Sequence, residues 1–286
     1  MILPRRQLLI GGALAGLAPT AAWAPSANWV PASDELPLTG RFVQGGHAIG
    51  RTWPRAQILV DGESLTTASA DGGFIVGFDR DAPGSVRIEA RLDGRSALRT
   101  LTIAPGRFSE SRIDGLPPST IEPDDPALLA RIQREVALKA EGFASRIDAD
   151  HFSGGFIWPL ENFRVTSRWG SQRILNGTPA RPHYGIDLAA PQGAAIRAPA
   201  DGRVTLARPA LHFEGGLVLI DHGQGLITAY LHQSRLDVRE GQDIARGDPI
   251  GQVGMTGRAT GPHLCWRMKW RDRNLDPSLM VENAGP

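Results

Sequence analysis

Residues 216–232 read Gly-Leu-Val-Leu-Ile-Asp-His-Gly-Gln-Gly-Leu-Ile-Thr-Ala-Tyr-Leu-His. Two β-prone runs, Gly216–Asp221 and Leu226–His232, flank a Gly-rich break at His222–Gly225. Aliphatic and β-branched residues in short runs favour strands, and the glycines supply the turn that reverses the chain. Two further strands are expected at Gly202–Ala207 and His263–Trp270, set off by turns such as Asp201-Gly202 and Arg246-Gly247-Asp248. The segment from Phe156 onward therefore reads as an antiparallel β domain. Within its last long strand, His263 and Cys265 are two apart and share one face.

The remainder of the chain fits a mainly β protein of two domains, as its 286 residues suggest. Hydrophobic residues make up 41% and charged residues 21%, enough for a sizeable core. The net charge of +1 provides no electrostatic case for a nucleic-acid partner. Between residues 36 and 107, short β-prone runs separated by Asp61-Gly62, Asp71-Gly72 and Asp93-Gly94 predict a small immunoglobulin-like β-sandwich. Residues 124–150 are expected to form a helical linker. Asp125-Pro126 is an N-cap with proline at the first helical position, and Leu129, Ile132, Val136, Phe143 and Ile147 recur at helical intervals up to Asp148.

Residues 1–24 read as an export signal. Arg5-Arg6 precede the apolar run Leu8–Ala18, and Ala22-Trp23-Ala24 fits a small-x-small cleavage pattern. Paired arginines before a modestly apolar core resemble a twin-arginine signal, and an ordinary secretory signal is the alternative. The run is too short to span a bilayer, so an exported, periplasmic protein of a Gram-negative bacterium without a stable membrane span is expected.

Chemistry gathers in three Gly-punctuated segments of the C-terminal domain: His183-Tyr-Gly-Ile-Asp187, Tyr230-Leu-His232 and Gly261-Pro-His263-Leu-Cys265. His183 is expected in a loop, because Pro182 and Gly185 oppose a helix, and Asp187 at the start of a strand. Cys265 is the only cysteine, so it has no disulfide partner within the chain. An unpaired thiol in an oxidising compartment is a liability unless it is buried or bound to metal. Three histidines, a carboxylate and a thiol can provide three ligands to one zinc ion with side chains left over to move protons. His47, His151, His212 and His222 lack ligand-spaced partners and are assigned no role.

Residues from about Phe156 to Pro277 closely resemble the lysostaphin-type (LytM-domain) zinc metallopeptidases. The matching segments include Ser167-Arg-Trp-Gly170, Asn176-Gly177, His183–Asp187, Asp221-His-Gly223, Tyr230-Leu-His232 and Gly261-Pro-His263-Leu. The resemblance implies a Gly-rich antiparallel β-sheet domain of the duplicated-hybrid-motif type, extending over residues 156–282. It also implies hydrolysis of stem or cross-bridge peptides in bacterial peptidoglycan, with one Zn²⁺ per chain. Carried over, His183 and Asp187 would be zinc ligands, and His232 and His263 would be catalytic. The third ligand is histidine in the family and Cys265 here.

A thiolate is a good zinc ligand, but it lowers the formal charge of the centre by one unit relative to histidine. A more neutral centre is a weaker Lewis acid, so slower hydrolysis at neutral pH or an optimum moved upward is expected. Two rival readings stand beside this one. The chain is a weak or inactive relative that binds the wall or regulates other wall hydrolases, or Cys265 is itself a nucleophile served by a histidine base.

Overall fold

The computed structural model describes residues 35–113, 125–175 and 177–281. The export signal and Asn176 lie outside these residues, as do residues 124 and 282 at the edges of the expected linker and C-terminal domain. Among the described residues, no helix is long and apolar enough to cross a membrane.

Seven strands form two antiparallel sheets in the N-terminal region. One contains Leu38–Arg41, His47–Arg51 and Gly73–Gly77; the other contains Glu63–Thr67, Gln57–Val60, Ser85–Leu92 and Arg95–Thr102. The fifth strand returns to the first sheet while the sixth and seventh extend the second. Two of the expected Asp-Gly turns have both residues at positive φ, Asp61 and Gly62 at 52° and 90°, and Asp93 and Gly94 at 49° and 78°. This is the turn geometry whose twist matches that of a two-residue hairpin.

The C-terminal sheet has eight strands, and all of its pairings are antiparallel. Its path runs Asp243–Ile244, Gly202–Leu211, Gly215–Asp221, Leu226–Gln233, His263–Trp270, Ile186–Ala189 and Arg164–Ser167, with Arg273–Leu275 pairing beside the fifth. Side chains of His263–Trp270 alternate as the strand period demands. Leu264, Trp266, Met268 and Trp270 enter the main core at no more than 1% exposure. Burying a side chain such as Leu264 or Met268 contributes roughly 1.5–3 kcal/mol. That core is continuous with the N-terminal sheets.

The two regions are also joined through their backbones. Glu110–Ile113 pairs in parallel with Gln172–Leu175, and Asp276 N–H donates to Gly45 O at 2.8 Å.

The helix, α1, spans Pro126–Phe143, and Asp125 Oδ1 caps it by accepting from Ala127 N–H at 3.0 Å. It is shorter than the sequence pattern predicts. Beyond it, Ser145 Oγ donates to Asp221 Oδ2 at 2.7 Å and Ile147 N–H to the same oxygen at 2.9 Å. Asp221 is fully buried, and satisfying a buried carboxylate outweighs one more helical turn. The docking face also differs. Leu129 and Val136 are exposed, whereas Glu135 and Gly142 are buried. Glu135 accepts from His212 N–H at 2.8 Å, and Lys139 pairs with Glu214. A Cβ on Gly142 would approach Leu219 Cδ1 to 2.8 Å, so the helix lies close against the sheet there.

Candidate metal and catalytic site

His263, Cys265, Arg267 and Lys269 occupy the face of their strand opposite the main core. Register decides what Cys265 meets. Its Cα partner is Asp187 on one side and Leu231 on the other. His183 precedes the strand Ile186–Ala189 and is tied down by an antiparallel bridge, its N–H donating to Ser171 O at 2.8 Å and its O accepting from Gly170 N–H at 2.8 Å. Gly185 stands between these groups. A Cβ there would lie 2.8 Å from Cys265 Sγ and 3.3 Å from His183 Nε2, so glycine leaves the space that the two donors share.

One donor atom from each of His183, Asp187 and Cys265 lies within 4.8 Å of the other two. Cys265 Sγ is 3.5 Å from His183 Nε2, and that nitrogen is 3.3 Å from Asp187 Oδ1. Asp187 Oδ1 is buried yet makes no well-formed hydrogen bond. A buried carboxylate oxygen in that state is costly unless a cation serves it. Nitrogen, oxygen and sulfur donors so placed fit a zinc ion. The His183 side chain is 25% exposed and that of Asp187 22%, which leaves the cluster reachable from solvent.

Ser167 Oγ, 3.1 Å from His183 Nδ1, holds the ring with Nε2 facing the cluster. Burial tends to lower the His183 pKa, but the Asp187 carboxylate and Cys265 sulfur outweigh it and raise it to about 9. For Asp187 burial pushes upward, and His183 outweighs it, holding the carboxyl below the usual range.

Next to this cluster, the rings of His232 and His263 are 4.8 Å apart. His232 Nδ1 is 2.8 Å from Thr256 O, and His263 Nδ1 is 2.8 Å from Gly261 O. A carbonyl can only accept, so each Nδ1 carries a proton, and such a ring, when neutral, keeps its lone pair on Nε2. His263 Nε2 lies 3.8 Å from Asp187 Oδ1. His232, the penultimate residue of the strand Leu226–Gln233, lies in the left-handed region at φ 67°. Such a conformation costs about 1–3 kcal/mol in a non-glycine residue and concentrates at functional sites. Burial, aided by His263 and Arg267, lowers the His232 pKa and favours the neutral ring.

Comparisons with known proteins concern the domain that carries these residues. Residues 181–277 match the model of peptidase family M23. The C-terminal domain is a peptidase family M23 domain. Peptidoglycan DD-endopeptidase ShyA of Vibrio cholerae is 37% identical over 121 residues, 42% of this chain and 28% of ShyA. Murein hydrolase activator NlpD of Salmonella typhimurium is 28% identical over 223 residues, 77% of this chain and 56% of NlpD. The chain thus spans less than two thirds of the length of either relative. A crystal structure of a candidate M23 peptidase from Pseudomonas aeruginosa superposes with a TM-score of 0.64 at 28% identity, over 86% of this chain and 96% of that one.

All five residues singled out in the sequence gather in the M23 domain, and the other histidines lie apart from them. His222 is fully buried, with Nδ1 2.7 Å from Asp201 O and Nε2 2.8 Å from Thr228 Oγ1. Tyr230, quoted beside His232, faces the core, its hydroxyl 2.9 Å from Thr228 Oγ1. Three further residues of the C-terminal domain carry the site without having been assigned a role in it. Gly185 and Ser167 were visible within motif segments, but what each touches depends on chain folding. Arg267, whose Nε–H donates to Cys265 Sγ at 3.4 Å, had a signal in its position two residues after Cys265.

Proposed function

We propose that this protein is an exported zinc endopeptidase that hydrolyses peptide bonds in bacterial peptidoglycan. The convergence of His183 Nε2, Asp187 Oδ1 and Cys265 Sγ beside the paired imidazoles of His232 and His263 carries the reading. The M23 domain and the likeness to a relative named as a peptidoglycan DD-endopeptidase support it. The export signal read in residues 1–24 supports the exported, periplasmic part of the proposal.

His183, Asp187 and Cys265 would hold the ion. When bound, zinc supplies Lewis acidity, polarising the scissile carbonyl and activating water. The two remaining histidines handle protons. With Nδ1 fixed on a backbone carbonyl, each presents Nε2 to the cleft. One, with its Nε2 lone pair free, would accept a proton from the attacking water, and the other, carrying a second proton on Nε2, would donate it to the carbonyl oxygen as charge develops there. Ser167 and Gly185 keep His183 aimed and the space between donors open.

Incubating the purified, metal-quantified protein with peptidoglycan tests the proposal. Mass analysis should find muropeptides with new amine ends inside their peptides. Unchanged muropeptides from zinc-loaded protein would sink it and favour a second reading, a regulator of other wall hydrolases. The likeness to a relative named as a murein hydrolase activator, over 77% of this chain, motivates that second reading.

A further inference from the structure

Arg267 has no part in the chemistry described so far, yet it sits against the cluster. Its Nε–H donates to Cys265 Sγ at 3.4 Å, and its Cγ is 3.0 Å from where a Cβ of residue 185 would lie. The stem therefore packs along Gly185 and the head reaches the sulfur. Burial works against the guanidinium charge, but Cys265, Glu214 and Asp187 outweigh it and hold the group protonated. Glu214 is in turn paired with Lys139 of α1.

A permanent cation next to a metal ligand would repel the metal unless that ligand brings additional negative charge. Cys265 brings it. A zinc ion with His183, Asp187 and a thiolate sums to a neutral centre, and the guanidinium returns one positive charge to its edge. A charge-assisted hydrogen bond to sulfur also draws electron density away from the metal.

We propose that Arg267 is a positioning residue of the metal centre: its donation to Cys265 Sγ aims the sulfur and offsets the negative charge that a thiolate ligand adds. The proposal rests on the zinc reading above. It modifies the expectation, drawn from ligand charges alone, of a weak Lewis acid.

Cobalt(II) in place of zinc tests it by spectroscopy, since a cobalt–thiolate bond gives a near-ultraviolet charge-transfer band. Arg267→Met and Arg267→Gln should move that band to lower energy, because an uncompensated sulfur gives up its electrons more readily. Arg267→Met should shift it more, and Arg267→Lys should restore most of the parent position. Cleavage of a peptidoglycan peptide should fall about 10- to 100-fold in the first two variants, the range seen when a ligand's supporting partner is removed. The Gln variant keeps a polar head, so the test survives if the Met variant does not fold. An unshifted band in the neutral variants overturns the proposal alone. Absence of the band in the parent overturns the Cys265 ligand assignment and the proposal with it.

Discussion

Asp187 and Cys265 face one another across two adjacent antiparallel strands, as a direct Cα pair. The carboxylate and sulfur are thus delivered to one face by sheet register, with the loop bearing His183 closing over them. A donor set built on paired strands is stiffer than one built on loops, which suits a site that must hold its geometry through catalysis.

Gly185→Ala tests that geometry. The added methyl would lie 2.8 Å from Cys265 Sγ, in the space between sulfur and imidazole. The variant should keep its thermal transition near that of the parent, yet lose zinc affinity in a chelator competition. Displacing a ligand by about 1 Å can cost on the order of 10²-fold in rate. Parent-like zinc affinity in the folded variant would show that the space does not serve the metal.

Substitutions should separate metal holding from proton handling. His183→Ala and Asp187→Ala should lose zinc. His232→Ala and His263→Ala should retain it while the rate falls by roughly 10²- to 10⁴-fold, as expected for general acid–base groups. Equal loss of zinc in all four, measured by elemental analysis, would refute this division of roles.

Cys265 and Arg267 should behave as a coupled pair. Cys265→Ala should lose metal and activity together. Cys265→His keeps a ligand but removes the anionic sulfur beside the guanidinium, so zinc affinity should drop. Adding Arg267→Gln to Cys265→His should recover affinity beyond the sum of the single effects, as contacting residues commonly do. Additive effects in the double-mutant cycle would mean that the two side chains do not communicate.

Zinc binding should depend on pH through His183. In the metal-free protein its pKa is raised from 6.5 to about 9, so the ring is protonated at neutral pH and must lose that proton to bind. Apparent affinity should climb by about tenfold per pH unit for each proton displaced and level off as the pH passes 9. The same shift stabilises the metal-free fold fully below pH 6.5, and that contribution is lost as pH rises through 9. Calorimetry in buffers of different ionisation enthalpy measures the proton directly. Zinc uptake at neutral pH without proton release would contradict the raised value.

The amino-acid sequence by itself determined the local chemistry: β-prone runs, the Asp-Gly turns at Asp61 and Asp93, and the shared face of His263 and Cys265. These follow from properties of neighbouring residues, the strand period of two and the tolerance of Asp and Gly for positive φ. The resemblance of residues 156–277 to a known family supplied the grouping of five distant residues. Tertiary structure alone decided the rest. Helix α1 stops at Phe143 because Asp221, far along the chain, takes Ser145 and Ile147 as hydrogen-bond partners. Its buried face includes Glu135 because the opposing strand end offers His212 N–H. Gly185 matters for what a Cβ would strike, and Arg267 for the sulfur that its guanidinium meets. Except for Arg267 and Cys265, which are neighbours on one strand face, these are non-local pairings, and their free energy arises only when folding removes water from both partners at once.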